Sequence, residues 1–258
     1  MHSHDMMKWS QVTSDDHNSS APTIKNHSVT HFNGYLFCFG GYDGRRNHMT
    51  LLLYSIADQC WIRPQQAYAE QDNNADFLVG DPNIVVQGNP PPGRNGHSAT
   101  LAVDDDETAK IVIIGGWLGT GPLAASDMHV LNVSAGGRQL QWYQPPVKGT
   151  PPGPCNMHSA DYVQHRREVY VFRGGNGREY LNDLHALNVD TMTWRQVHTT
   201  GQIPQPRANH SSAILEETAE LCLFGGWNGS ERLNDIHILD TYTSTWTCPR
   251  VGGVLVSA

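Results

Sequence analysis

The apolar residues of the chain fall in short runs, and turn-forming residues separate one run from the next. The stretch 207–246 and its flanks are typical, with runs at 210–215, 220–224, 235–240 and 245–248. Runs of this length, with Gly, Asn and Asp between them, predict β-strands joined by tight turns. We therefore expect each such stretch to form a four-stranded antiparallel sheet.

The same order of runs recurs along the chain. A tryptophan marks the last run of each unit, and Trp9 and Trp61, Trp142 and Trp194, and Trp194 and Trp246 are each 52 residues apart. Trp61 and Trp142 are 81 residues apart, because an insertion within residues 64–87 lies in the connection between two units. The units cover residues 27–63, 97–145, 158–197 and 210–248. A fixed period indicates a repeat architecture, whose neighbouring units bury a shared core.

These repeats predict an all-β fold with one domain over residues 1–258. A single sheet cannot bury both of its faces, whereas radial stacking around a channel can, and this is the β-propeller arrangement. Residues 6–12, around Trp9, match only the last strand of a unit and predict an orphan outer strand. Residues 249–258 keep the register through Gly253 and predict the start of a truncated blade. The expectation is a partial propeller with four complete blades.

The repeated residues resemble those of the kelch-repeat proteins. Each unit has a Gly-Gly pair and a later Trp, which follows by about twenty residues in the pairs Gly175 and Trp194 and Gly226 and Trp246. Two units begin with Pro-x-x-Arg-x-x-His-Ser, which ends at Ser98 and at Ser211. The resemblance covers most of the chain and implies a kelch β-propeller. Rings of this family are commonly closed by an N-terminal strand that completes the blade begun by the C-terminus. Here that blade lacks its other strands, so we expect a fragment of a longer propeller or, alternatively, oligomerisation or assembly through the open edge.

Most repeated residues are expected to build the scaffold. The Gly-Gly pair permits a sharp turn and close approach of neighbouring chains, and the Trp supplies a large apolar area to the core. Asp183 and Asp235 begin equivalent runs, and each is expected to accept hydrogen bonds from the backbone or from the histidine two residues later.

The third unit departs from this pattern. Cys155 stands where Arg94 and Arg207 stand in two other units, and Arg173 precedes its Gly-Gly pair at a position that is apolar elsewhere. A buried guanidinium needs hydrogen-bond acceptors. We hypothesise that Arg173 makes, from the second strand, some of the hydrogen bonds that the other arginines make from the first. The alternative is an exposed arginine that lines the channel.

Composition and charge narrow the possible partners. The net charge is −8 and Lys and Arg are not clustered, which argues against nucleic-acid binding. No apolar run is long enough to span a membrane or to form the core of a signal peptide, and the five cysteines show no CxxC spacing. We expect a cytoplasmic protein with reduced cysteines and neither a membrane nor a nucleic acid as its partner.

No motif predicts catalysis or a cofactor. The sequence lacks GxSxG, P-loop and dinucleotide fingerprints, and His97, His158 and His210 recur once per blade, which separates them too far to share a metal ion. We expect a non-catalytic module, without metal or cofactor, that binds a protein or peptide. Two alternatives are a structural subunit of a larger cytoskeletal or ciliary assembly and a kelch-fold enzyme whose site the motifs do not reveal.

The loops that follow the Gly-Gly pairs are the expected binding surface. They vary within a repeated frame, and variable loops on a rigid scaffold commonly carry recognition. Their Trp and Arg residues are types enriched at interface hot spots, and four arginines favour an acidic ligand. The candidate ligand-binding residues are Tyr42, Arg45, Arg46, Trp117, Arg178, Tyr180, Trp227 and Arg232. An alternative role for three of the aromatic residues, Tyr42, Trp117 and Trp227, is to cover the next blade.

Overall fold

The computed structural model describes residues 23–66, 81–119, 123 and 128–252. The expected orphan strand at residues 6–12 and the truncated blade from Gly253 onward lie outside these residues. The described strands are β1 Ser28–Phe32, β2 Tyr35–Phe39, β3 Leu51–Ser55, β4 Cys60–Ile62, β5 Pro64–Gln66, β6 Asp81–Gln87, β7 Ser98–Val103, β8 Ala109–Ile114, β9 His129–Ser134, β10 Gln139–Tyr143, β11 Lys148–Gly149, β12 Ser159–Val163, β13 Glu168–Phe172, β14 Leu184–Asn188, β15 Thr193–Val197, β16 Thr200–Gly201, β17 Ser211–Leu215, β18 Glu220–Trp227, β19 Arg232–Asp240 and β20 Thr245–Thr247. Short 3-10 helices span Ala135–Gly137 and Gln164–Arg166. No helix in the described ranges is long and apolar enough to cross a membrane.

The strands form four sheets, termed blades 1 to 4 in chain order. Each blade has four antiparallel strands, β1–β4, β7–β10, β12–β15 and β17–β20, so the predicted four-stranded units are confirmed. Short strands from the preceding connection pair in parallel at the outer edge of the later blades: β5 and β6 extend blade 2, β11 extends blade 3 and β16 extends blade 4. The first strands of the blades contact each other in the order β1, β7, β12, β17. The blades thus stack in chain order into a propeller that is not closed.

Local sequence explains the hairpin that opens blade 1. Asn33 and Gly34 connect β1 to β2, and both have positive φ values, 47° and 79°. A type I′ turn requires positive φ at both central positions, which Asn and Gly tolerate best. Asn33 and Gly34 therefore form the tight turn of this hairpin.

The hydrophobic core lies between neighbouring blades. Trp142, Trp194 and Trp246 are 4%, 3% and 1% exposed. Trp142 packs 5.2 Å from the Phe39 ring of the preceding blade, and Trp246 packs 5.9 Å from the Phe172 ring. These three tryptophans are core residues, as predicted. Trp61 of blade 1 is only half-buried, because no described blade precedes it.

A histidine joins each blade to the one before it. The Nε2 atom of the histidine just before the first strand forms a hydrogen bond with a serine hydroxyl of the preceding blade. The pairs are His97 with Ser28 (2.9 Å), His158 with Ser98 (2.9 Å) and His210 with Ser159 (3.0 Å). Burial lowers the pKa of these histidines, to about 3, about 4 and about 3 in the same order. The junctions are therefore built with neutral imidazoles at neutral pH.

A backbone contact accompanies each histidine. Asn26, Gly96, Met157 and Asn209 directly precede the strand-entry histidines, and all four have positive φ values. The N–H of Gly96 donates to the carbonyl of Asn26 (2.9 Å), Met157 to Gly96 (3.0 Å) and Asn209 to Met157 (3.0 Å). These hydrogen bonds run head to tail from blade 4 to blade 1, so every internal junction repeats the same geometry.

Glycines in the connections between blades lie against the main chain of the tryptophans on the outer strands. Gly88, Gly149 and Gly201 have positive φ, and a Cβ atom on each would overlap the main-chain carbonyl of Trp142, Trp194 or Trp246 respectively. This contact explains why a glycine recurs seven residues after a Trp in the later units: it is the point at which the connection pairs with the outer strand of the next blade.

We predict that Gly149→Ala destabilises the fold more than Gly34→Ala does. Both glycines have φ near 80°, but nothing lies within 4 Å of a Cβ at Gly34, whereas a Cβ at Gly149 overlaps the Trp194 carbonyl. Steric overpacking adds about 1–3 kcal/mol to the cost of a positive φ. Urea denaturation of both variants measures the difference. Equal losses of unfolding free energy would contradict the role assigned to the Gly149 contact.

Candidate functional site

Four loops connect the second and third strands of the blades on one side of the molecule. We term residues 42–47, 117–123, 175–180 and 227–232 the loop face; residues 120–122 lie outside the described part. Asp43, Asn176 and Asn228 occupy the same place in three of the loops. Each Oδ1 atom accepts two backbone N–H groups from the residues two and three positions later, at 2.7–2.9 Å. These N–H groups also hold the pKa of the Asp43 carboxyl well below its usual range.

Each of the first three loops contacts the loop of the next blade. The Asn47 Nδ2 atom donates to the Trp117 carbonyl (2.8 Å), and Leu123 lies over Gly177. Tyr180 lies over Gly229 in the same way. Asn47, Leu123 and Tyr180 are thus equivalent residues that bridge adjacent blades. Tyr180 has this covering role in addition to its candidate role in binding.

Aromatic residues occupy the first loop position in three of the four blades. Tyr42, Trp117 and Trp227 each pair through the backbone with the segment that enters the blade. Tyr42 is half-buried with the Lys25 ammonium 5.7 Å from its ring centroid, Trp117 is 37% exposed and Trp227 is half-buried. All three therefore have some ring surface open to solvent.

Blade 3 has a glycine at this aromatic position. Strand pairing aligns Phe172 with Phe224, because each lies opposite the first residue of the innermost strand. Gly175 then corresponds to Trp227, and like Trp227 it pairs with the entry segment of its own blade. The sequence comparison that matched Gly174 and Gly175 to the Gly-Gly pairs of other blades was therefore wrong by one residue.

Gly175 leaves blade 3 without an aromatic side chain at this place in the loop face. The φ of Gly175 is outside the positive region, and a Cβ there would meet Tyr180 at an ordinary 3.9 Å. A Cβ atom is therefore sterically allowed at Gly175. We term the surface formed by Gly175 and the adjacent Tyr180 ring the Gly175 notch. The sequence contains the signal for it, since Asn176 follows Gly174-Gly175 where Tyr or Trp follows the other pairs.

Arg173 lies at the place where the other blades have the first glycine of the pair. Its Nη1 atom donates to Asp183 Oδ2 (2.9 Å), and its Nη2 atom donates to the Pro154 carbonyl (3.4 Å). In blade 4, Arg207 donates two hydrogen bonds, of 2.6 and 2.8 Å, to Asp235. Since Asp183 and Asp235 are equivalent, the hypothesis that Arg173 replaces an arginine of the first strand is confirmed. Arg173 does so from a different position than the sequence indicated.

The two aspartates form equivalent triads. His185 Nε2 lies 2.8 Å from Asp183 Oδ2, and His237 Nε2 lies 2.9 Å from Asp235 Oδ2, as the sequence predicted. The hydrogen bonds from Arg207 lower the pKa of Asp235 to about 2, and His237 adds to this effect. Burial alone would raise the pKa of Asp183, but His185 and Arg173 together bring it below its usual value. These triads anchor the strands that follow the loops.

The arginines of the loop face differ from those of the scaffold. Arg45, Arg46, Arg178 and Arg232 are all exposed. Scaffold arginines such as Arg167 and Arg195 form ion pairs, whereas no ion pair within the described residues involves the loop-face arginines. They lie on blades 1, 3 and 4, and Arg232 occupies the position that Tyr180 has in blade 3.

Metal binding finds no support in the described ranges, which contain no group of three His, Cys, Asp or Glu side chains able to hold an ion. His97, His158 and His210 are each used in a blade junction.

Comparison with known proteins identifies similar sequences. A family model described as the KLHDC2/KLHL20/DRC7 Kelch-repeats domain matches residues 107–258, and a Kelch motif model matches residues 24–64. Acyl-CoA-binding domain-containing protein 4 of Arabidopsis thaliana is 34% identical over 44% of this chain and 17% of its own length. Rab9 effector protein with kelch motifs of Xenopus laevis is 28% identical over 66% of this chain and 46% of its own. Kelch domain-containing protein 3 of Homo sapiens is 25% identical over 95% of this chain and 60% of its own. The chain therefore spans 17% to 60% of the length of these relatives.

We predict that the Asp235 carboxylate stabilises the fold in a pH-dependent way. Because its folded-state pKa is depressed to about 2, its contribution is present above its ordinary pKa near 3.8 and is lost as the pH falls through about 2. Asp235→Asn should lower the unfolding free energy at neutral pH by on the order of 1 kcal/mol, after allowance for solvent screening. Urea denaturation at several pH values should show this gap narrowing below about pH 4.

Asp183→Asn is the matched control for this prediction. Arg173 donates one hydrogen bond to Asp183, whereas Arg207 donates two to Asp235, so the gap for Asp183→Asn should be smaller. A gap for Asp235→Asn that stays constant down to about pH 2 would show that the ionised carboxylate does not contribute as described.

Proposed function

Because the chain belongs to the kelch-repeat family, we propose that it is a protein-interaction module whose loop face binds a protein or an acidic peptide. Kelch-repeat domains typically act as interaction modules, and one relative is by its name an effector of Rab9. In this proposal the repeated residues hold the blades together, and the ligand is recognised by the loops between them.

The observation that carries the proposal is the Gly175 notch. Three blades place an aromatic ring at the first loop position, and blade 3 has Gly175 there although its backbone permits a Cβ atom. A large apolar side chain of the ligand would occupy the notch against Tyr180. Interface hot spots are enriched in Trp, Tyr and Arg and lie in well-packed pockets from which water is excluded.

Charge supports an acidic ligand. The loop face has four exposed arginines and three carboxylates, Asp43, Glu179 and Glu231, so its formal charge is +1. This local excess of positive charge occurs on a chain with a net charge of −8. A carboxylate of the ligand can accept two hydrogen bonds from one guanidinium, which adds orientation to the attraction.

The proposed module binds without catalysing a reaction. The polar side chains Asp43, Asn176 and Asn228 of the loop face close turns and are thereby engaged. We place its action in the cytoplasm, an assignment supported by five free cysteines.

We predict that Gly175→Trp blocks ligand binding while leaving the fold intact. The substitution restores the residue type of Trp117 and Trp227 and fills the notch. Peptides selected from a random display library on the immobilised natural chain serve as the probe, and fluorescence anisotropy measures their affinity. Selected peptides should be enriched in Asp and Glu together with an aromatic residue, and Gly175→Trp should weaken their binding by roughly tenfold or more.

Matched variants separate site effects from general ones. Gly252→Trp introduces the same side chain at an open position outside the loop face and should bind normally. The double variant Arg178→Glu, Arg232→Glu should bind acidic peptides more weakly than Arg250→Glu, which changes an exposed arginine elsewhere. Unchanged affinity in both Gly175→Trp and the double arginine variant would refute the proposed site.

A further inference from the structure

A threonine on the innermost strand joins blade 1 to blade 2, and another joins blade 2 to blade 3. The Thr30 Oγ1 atom donates to the Ala99 carbonyl (3.0 Å), and the Thr100 Oγ1 atom donates to the Ala160 carbonyl (2.9 Å). The donor is in each case the third residue of the innermost strand, and the acceptor is the second residue of the next innermost strand. These two junctions therefore share a second hydrogen bond besides the histidine contact.

Blade 3 has an aspartate where blades 1 and 2 have this threonine. Asp161 is the third residue of β12, and it lies opposite Tyr170 of β13 as Thr100 lies opposite Val112 of β8. The second residue of β17 in blade 4 is Ser212, and its hydroxyl donates to the Asp161 Oδ2 atom. The direction of donation is therefore reversed at this junction, because blade 4 donates and blade 3 accepts.

The environment of Asp161 favours its neutral form. Asp161 is partly buried, and a carboxylate that loses its hydration is destabilised relative to the carboxylic acid. Burial raises the pKa of the Asp161 carboxyl to about 6, although the hydrogen bond from Ser212 opposes this rise. The protonated carboxyl has an O–H group that can donate, which the carboxylate lacks. Asp161 is therefore able to act either as the acceptor or as the donor of this junction.

The charged groups on the same blade form a pair of their own. Tyr170, opposite Asp161, accepts a hydrogen bond from Arg195 (3.2 Å), and Arg195 is paired with Glu168. The opposite charges of Arg195 and Glu168 offset each other. Burial is therefore the main influence of this blade on the Asp161 carboxyl.

The titratable groups of the other packed elements are also bonded. The neighbouring innermost strands β7 and β17 contain no titratable residue. Blade 4 contributes His210, which is bonded to Ser159, and His237, which is bonded to Asp235. Arg166, just after β12, donates to two main-chain carbonyls of blade 4. The Ser212 hydroxyl is thus the group of blade 4 that contacts the Asp161 carboxyl.

We propose that Asp161 is a proton-dependent contact between blades 3 and 4 with two hydrogen-bonded arrangements. In its ionised form, Asp161 accepts a hydrogen bond from the Ser212 hydroxyl. In its protonated form, it donates to the Ser212 main-chain carbonyl, as Thr30 and Thr100 donate to the equivalent carbonyls. The proton is exchanged with solvent. Acid therefore gives this junction the hydrogen bond that the two preceding junctions have at every pH.

The unfolding equilibrium constant measures what ionisation costs the fold. Because the folded-state pKa of Asp161 is raised from 3.8 to about 6, its contribution to stability is fully present below about pH 3.8 and is lost as the pH rises through about 6. Relative to Asp161→Thr, which restores the threonine, the unfolding equilibrium constant of the natural chain should rise by roughly tenfold to a hundredfold between about pH 4 and pH 7. Urea denaturation at several pH values measures this rise.

Two further variants serve as controls. Asp161→Asn should also abolish the rise, because its amide donates and accepts at every pH, and it replaces Asp161→Thr if that variant does not fold. Asp106→Asn, which removes an exposed carboxylate in a turn of blade 2, should leave the rise intact. A natural chain whose pH dependence equals that of both Asp161 variants would overturn the proposal.

Carbon-13 NMR distinguishes the two arrangements from a carboxyl that titrates without changing its partner. The carboxyl signal of Asp161, identified by its loss in Asp161→Asn, should titrate with a midpoint near pH 6. The main-chain carbonyl signal of Ser212 should shift with the same midpoint, and in Asp161→Thr it should be independent of pH. A Ser212 carbonyl signal that does not follow the titration, or an Asp161 carboxyl that titrates near its ordinary pKa, would overturn the proposal.

Discussion

The hydrogen bond between a buried neutral histidine and a serine of the preceding blade is the contact on which the remaining structure depends. It occurs at every internal junction with a length of 2.9–3.0 Å. In blades 1 and 2 the first glycine of the pair is required by the same contact, since a Cβ at Gly40 or Gly115 would lie within 3 Å of the histidine ring of the next blade. The aromatic or aliphatic residue before that glycine then packs on the next tryptophan. The residues that recur along the chain are therefore mainly those that form the contacts between neighbouring blades.

Much of this architecture could be predicted from the sequence, because a junction that recurs must recur in register. The spacing of 52 residues between Trp194 and Trp246 located the strands of blades 3 and 4, and Asn33-Gly34 located a hairpin. The one-residue error in the alignment of blade 3 arose because Gly174-Gly175 was matched to the Gly-Gly pairs of the other blades. The same spacing, followed through the strand, places Arg173 on Gly225 and Gly175 on Trp227, as the strand pairing does. The short parallel strands β11 and β16 escaped prediction, since two residues are too few to produce a hydrophobic period.

The residues of the scaffold and those of the loop face differ in the partners of their polar side chains. Arg173, Arg195 and Arg207 are paired with carboxylates. The junction histidines His97, His158 and His210 are neutral and hydrogen-bonded. On the loop face, backbone N–H groups donate hydrogen bonds to the side chains of Asp43, Asn176 and Asn228, and the arginines are exposed. The candidate loops were visible in the sequence as variable stretches, but the Gly175 notch was not recognised. Identifying the notch requires the correct alignment of blade 3 with the other blades, because only then does Gly175 correspond to their aromatic residue.

The central claim is that the loop face around the Gly175 notch recognises a ligand while the blades serve as its scaffold. Amide hydrogen exchange, compared with and without a bound acidic peptide, tests this claim most directly. The account predicts slower exchange in residues 175–180 and 227–232, with the amides of the strand ladders unchanged. Protection confined to the edge strands β1–β4 or β17–β20, with none in these loops, would contradict it.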